Sequence, residues 1–120
     1  MRYLTAVAVA LLALGCAPPV AKLREQGISQ YQLGHTKQAE LTFREVLDKR
    51  PYDEESLYYM GRILHAQGRL AQAIYYYQCC LDVDPSHESA RLWLRRAQEQ
   101  AGEMGRQLRF LPPDVEEGGS

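Results

Sequence analysis

Charge of either sign is in balance in this chain, and that excludes a first class of function. With 14 Lys and Arg against 15 Asp and Glu the formal net charge is −1, so the concentrated basic surface that nucleic acid requires is not expected. The three cysteines, Cys16, Cys79 and Cys80, show no Cys-x-x-Cys or Cys/His spacing, which argues against a structural zinc site or a disulfide framework. His35, His65 and His87 are scattered, and no pair has the i, i+4 spacing with which a helix holds a metal. No apolar run reaches the ~20 residues of a membrane-spanning helix. Asp84, Ser86 and His87 carry the letters of a hydrolase triad, but near neighbours in one turn cannot align a nucleophile on a base held by a third group. No enzyme activity, metal or cofactor is expected, because function has to be argued from a site and none is present. The 120 residues leave room for one small domain.

What is present begins with an address. Met1-Arg2 is a short positive start, and Leu4 to Leu14 is an almost unbroken apolar run, the form of a signal-peptide core. The run ends at Leu12-Ala13-Leu14-Gly15-Cys16, which resembles the lipobox of bacterial lipoproteins, although Ala13 stands where that motif usually has Leu. The resemblance implies a signal peptide over residues 1–15, lipidation of Cys16 and a membrane anchor of several acyl chains. Ala17 in place of Asp after the cysteine implies the outer membrane, facing the periplasm. The rival reading is ordinary signal cleavage and a soluble secreted protein, against which a cut after Ala17 would leave Pro18 immediately behind it. Ala17-Pro18-Pro19 suits a stiff tether, placed at residues 16–21.

The stretch from Glu54 to His87 organises the remainder. It contains Leu57, Met60, Gly61, Leu64, Gly68, Ala73, Tyr77, Cys80, Leu81 and Pro85, and the same framework stands one repeat earlier as Leu23, Gly27, Gly34, Ala39, Phe43, Val46, Leu47 and Pro51. Gly61 follows Gly27, Ala73 follows Ala39 and Pro85 follows Pro51 at one constant offset of 34, a period that marks a helical-hairpin array. The spacing predicts helices from Val20 to Leu33, from Thr36 as N-cap to Pro51, from Asp53 as N-cap to Gln67, and from Leu70 to Val83. Glu54 and Glu55 favour the start of the third through the helix dipole. A fifth helix, capped by Ser86, is expected from Glu88 to Ala101 with Ala90, Leu94 and Ala97 on one face and Gly102 turning it. Gly27 and Gly61 are expected to let the hairpins close, facing Ala39 and Ala73, with Phe43 and Tyr77 filling the space beside them. Cys80 fits the small core place of Val46, and Cys79 falls at the surface, where an oxidising compartment would let it cross-link two copies.

This framework strongly resembles the tetratricopeptide repeat. The implied fold is an all-α solenoid over residues 22–101, with repeats at 20–53 and 54–87 and a partial one at 88–111. Residues 112–120 are expected to be disordered. The short basic and apolar stub Arg106 to Leu111 would dock on the last helix pair, or touch anionic lipid or a partner. By the same resemblance the first helices line a concave groove, which places Arg24, Ile28, Tyr31, Glu55, Tyr58, Arg62, His65, Leu92 and Arg96 there. Arginines that hold carboxylates and tyrosines that supply contact area suit a protein or peptide segment. The competing reading is a solvated face on which Arg62 and Arg96 pair with Glu55 and Glu99. Lipoproteins with such repeats resemble pilotin-like factors of pilus and secretion systems and periplasmic scaffolds for cell-wall enzymes. The alternative is a structural subunit, possible as a homodimer, that self-associates through the solenoid ends.

Overall fold

The computed structural model describes residues 19–109; the signal segment, Cys16, the first part of the tether and the tail from residue 110 lie outside them. Five helices follow one another: α1 (Val20–Gln32), α2 (Thr36–Lys49), α3 (Glu54–Ala66), α4 (Leu70–Val83) and α5 (Glu88–Arg109). Consecutive helices pack in sequence, α1 also approaches α3, and α3 approaches α5, whereas the backbones of α2 and α4 stay apart. The odd-numbered helices therefore form one layer and the even-numbered ones an outer, splayed layer, which is a short tetratricopeptide-like solenoid.

The hairpin turns follow from two glycines. Gly34 and Gly68 have φ of 80° and 75°, a conformation that only glycine reaches cheaply. At the first turn Gly34 N–H donates to the Tyr31 carbonyl at 3.0 Å and His35 N–H to Gln30 at 2.9 Å; Gly68 and Arg69 repeat the pair onto His65 and Leu64. These paired bonds satisfy carbonyls that a helix end would leave open. Thr36 is the first helical residue and not the cap; the cap position is His35, which makes no side-chain bond. Gly102, by contrast, does not turn: α5 runs through it to Arg109. A glycine permits a reversal without requiring it, and Gln107 stands where the small core alanine of a second helix belongs. With nothing to pull the chain back, the helix continues through Gly102 and Gly105, carried by the good helix formers Ala101, Glu103, Met104, Arg106, Gln107, Leu108 and Arg109. A Cβ on Gly102 would meet only the Arg106 guanidinium at 3.8 Å. Gly102→Ala is expected to raise stability by ~0.5–1 kcal/mol, read as a higher melting temperature; a turn there would make the same change destabilising.

The core is a column of Ala39, Phe43, Met60, Ile63, Leu64, Ala73, Tyr77 and Ala97, all buried, with Leu57, Cys80 and Ala90 as a second cluster. Gly27 and Gly61 close the hairpins, but the contact is with aromatic rings and not with facing backbone. A Cβ on Gly27 would lie 2.8 Å from the Phe43 ring, and one on Gly61 would lie 2.5 Å from Tyr77.

A part-buried polar contact pins the first repeat to the second. Arg24 of α1 donates through Nε to both carboxylate oxygens of Asp53 at 3.0 and 2.9 Å and through Nη2 as well. The same carboxylate caps α3, accepting from Ser56 N–H at 3.2 Å and from its hydroxyl at 2.6 Å. Burial pushes the Asp53 carboxyl up, yet the hydrogen bonds from Arg24 and Ser56 prevail and hold it below the usual carboxylate range. A depressed pKa contributes stability that is complete above the ordinary carboxylate value near ~4 and is lost as pH falls through the lower folded value. Asp53→Asn keeps a capping group but loses a charge-assisted bond. It is expected to destabilise by ~1–2 kcal/mol at neutral pH, with the difference from wild type vanishing on acidification. A denaturant titration repeated at falling pH checks this.

Candidate functional site

The link between α4 and α5 sets the site. His87 occupies the place of Asp53 one repeat on, and its Nδ1 accepts from Ala90 N–H at 3.0 Å. Ser86 does not cap α5 as its residue type suggests; it lies one position too early, and its hydroxyl donates to Asp84 at 2.6 Å. This start presents Trp93 and Arg96 of α5 beside Tyr58, Arg62 and His65 of α3.

Their geometry is a cationic-aromatic cluster across the α3/α5 junction. The Arg62 guanidinium lies 3.6 Å from the Trp93 ring centroid and that of Arg96 lies 4.8 Å from it. Arg62 also donates to the Tyr58 hydroxyl at 2.9 Å. His65 meets the Trp93 ring edge-on at 5.6 Å and places Nε2 3.0 Å from the Gln100 amide oxygen. Its Nδ1 is 3.3 Å from the Tyr77 hydroxyl, whose pKa burial drives upward, so Tyr77 stays neutral and hydrogen-bonded. Cation–π contact with Trp93 holds both guanidiniums over the indole. Among the described residues neither Arg62 nor Arg96 forms an ion pair; Glu55 stands instead 3.8 Å from Arg24. The layout offers two pre-positioned forks to an incoming carboxylate, over an aromatic floor.

From this cluster aromatic rings run back to the first repeat. Tyr58 packs 5.0 Å from His87 and 5.3 Å from Tyr59, and Tyr59 lies 5.1 Å from Tyr31 and stacks on Phe43 at 5.3 Å. Tyr31, Ile28 and Tyr58 are thus partly spent on packing. Arg24 is engaged by Asp53 and does not join Arg62 and Arg96. Leu92 is 43% exposed, and Glu55 is exposed near Arg24. The repeat-packing set Gly27, Ala39, Phe43, Gly61, Ala73 and Tyr77 is buried, while Pro51 and Pro85 lie exposed in the links.

Trp93 is the residue that the sequence pattern did not single out. A signal existed: it stands 34 residues after Tyr59, so a large aromatic occupies that position in the second and third repeats. Among the described residues no group of three or more His, Cys, Asp or Glu is arranged to hold a metal ion.

A sequence model of the tetratricopeptide repeat matches residues 54–87, the hairpin of α3 and α4 with the link to α5. No curated protein matches the chain. Repeats of this kind are protein-interaction modules, and the hairpin of α1 and α2 carries the same spacing.

Proposed function

We propose that this protein is a membrane-tethered adaptor whose inner face receives an acidic segment of a partner protein in a bacterial envelope assembly, such as pilus, secretion or cell-wall machinery. The observation that carries the recognition half is the pair of guanidiniums over Trp93, free of carboxylate partners among the described residues. Tethering is supported by the lipobox-like run ending at Cys16. Among the described residues no helix is long and apolar enough to cross a membrane. In this reading attachment rests on acyl chains at Cys16, each buried methylene contributing ~0.8 kcal/mol. Anchoring concentrates the site at one surface, and the site then selects by charge.

The test is in-cell photo-cross-linking from positions 58 and 62, combined with Cys16→Ser. A captured envelope protein with an acidic contact segment, and release of Cys16→Ser into the soluble fraction, are the expected results. Capture from Cys79 or the end of α5 alone would contradict the site, and a membrane-bound Cys16→Ser protein would contradict the anchor.

A second reading, self-association through the open end, is favoured by the exposure of Met104 and Leu108 on the overhang of α5, 48% and 63%. Sedimentation at rising concentration separates the two.

A further inference from the structure

The outer layer holds two cavities where α2 and α4 fail to meet. They have volumes of about 690 and 460 Å³ and share Leu47, Tyr75 and Tyr76 as common walls. Leu64 and Leu57 of α3 line one each, so the trough is built by the solenoid and not by loops. Its aromatic lining is open to solvent, with Tyr52 78% and Tyr75 61% exposed.

Charge is distributed unevenly along it. At one end Arg44 and Arg69 share the single carboxylate of Glu40, at 2.7 and 3.5 Å, which leaves that end with one positive charge in excess. Asp48 lines the larger cavity and Asp82 the smaller, both exposed, and among the described residues neither is in an ion pair. The trough thus pairs tyrosine faces, which attract cations, with two carboxylates that form no ion pair among the described residues, and the one in the smaller cavity has no cation in its lining. The smaller cavity, whose lining carries Asp82 and no cation, has the polarity opposite to that of the Arg62–Trp93–Arg96 face, which α3 and α5 build in the other layer.

We propose that this outer trough is a second binding site, for a protein segment that carries lysines or arginines with apolar or proline residues between them. Apolar residues would fill the space beside Leu47, Tyr75 and Tyr76, while a cationic group lies over a tyrosine and reaches Asp48 or Asp82. One hairpin array then joins two partners of opposite charge, one on each side.

The half-buried Cys79 thiol lines the smaller cavity and serves as a reporter. Cys80, whose thiol burial pushes up to about 12, stays unreactive and acts as an internal control. The full-length protein is titrated with a labelled peptide of three Arg-Leu-Pro units and with its Glu-Leu-Pro counterpart; alkylation at Cys79 is mapped by mass spectrometry. The expected result is saturable binding of the arginine peptide alone, with slowed alkylation at Cys79. Affinity should fall about tenfold in Asp48→Asn/Asp82→Asn, where both side chains are exposed and the fold is undisturbed, and should be unchanged in Arg62→Ala/Arg96→Ala. Unsaturable binding, equal affinity in the double aspartate variant, loss in the arginine variant or an unprotected Cys79 would each overturn the proposal. Because the inner-face variants are a separate arm, its failure leaves the acidic-partner reading standing, and the reverse holds too.

Discussion

Tyr77→Ala is expected to lower the unfolding free energy by ~3–5 kcal/mol, the range for deleting a fully buried aromatic side chain. Tyr77 is among the largest fully buried side chains of the described residues, and it meets α3 at two points: its ring fills the notch left by Gly61, while its hydroxyl meets His65. Small domains have only ~5–15 kcal/mol in total, and an array this short is near the number of units that can bury a continuous core. Loss of cooperative melting at physiological temperature is the expected observation. Tyr77→Phe keeps the ring and gives up only the 3.3 Å contact to the His65 imidazole, so its loss should be within ~1 kcal/mol. Equal losses in the two variants would mean that the hydroxyl, and not the ring, carries the site.

Gly61→Ala is the second large effect, and its sign opposes helix propensity. Alanine in a helix interior normally gains ~1 kcal/mol over glycine. Here the new methyl would sit 2.5 Å from Cδ1 and Cε1 of Tyr77, and that ring is packed on all sides. Overpacking of this kind costs ~1–3 kcal/mol and occasionally more; with two ring atoms inside contact distance the upper end applies, for a net loss of ~2–3 kcal/mol. Gly27→Ala, where the closest approach is 2.8 Å, should lose less. The decisive comparison is the double variant. With Tyr77 cut to alanine the obstruction is gone, and Gly61→Ala should become neutral or mildly stabilising. Additive losses would show that the glycine is needed for some other reason, since coupling of this size is confined to residues in contact.

These two residues also show what could be seen without coordinates. A constant offset linking Gly27 to Gly61 and Phe43 to Tyr77 exposes the hairpin geometry, because a close approach forces a small residue and a large one to recur together. Gly34 and Gly68 were legible as turns for the same reason, since a left-handed residue needs glycine. Side-chain choices within a shared geometry were harder. His87 caps α5 although histidine is no common cap, and the adjacent Ser86 misleads. Arg24 stands one helical turn before Ile28, the first-repeat equivalent of Arg62 and Arg96, and a carboxylate at the start of α3 draws it into an interhelical bond. Gly102 keeps the repeat spacing but lacks the second helix that would make a turn worthwhile. Trp93 has a large aromatic one repeat before it, but its partners Arg62 and His65 belong to another helix, and only their convergence in space shows its role.

The inner face is tested most directly by the fluorescence of Trp93, the single tryptophan of the chain. The full-length protein is titrated with a ten-residue glutamate-rich peptide and with its glutamine analogue. Displacement of the guanidiniums toward carboxylates should produce a saturable change in Trp93 emission for the glutamate peptide, weakened by salt and lost in Arg62→Ala/Arg96→Ala. An unchanged spectrum, or a response that persists in the double arginine variant, would contradict an anion-accepting face at the α3/α5 junction.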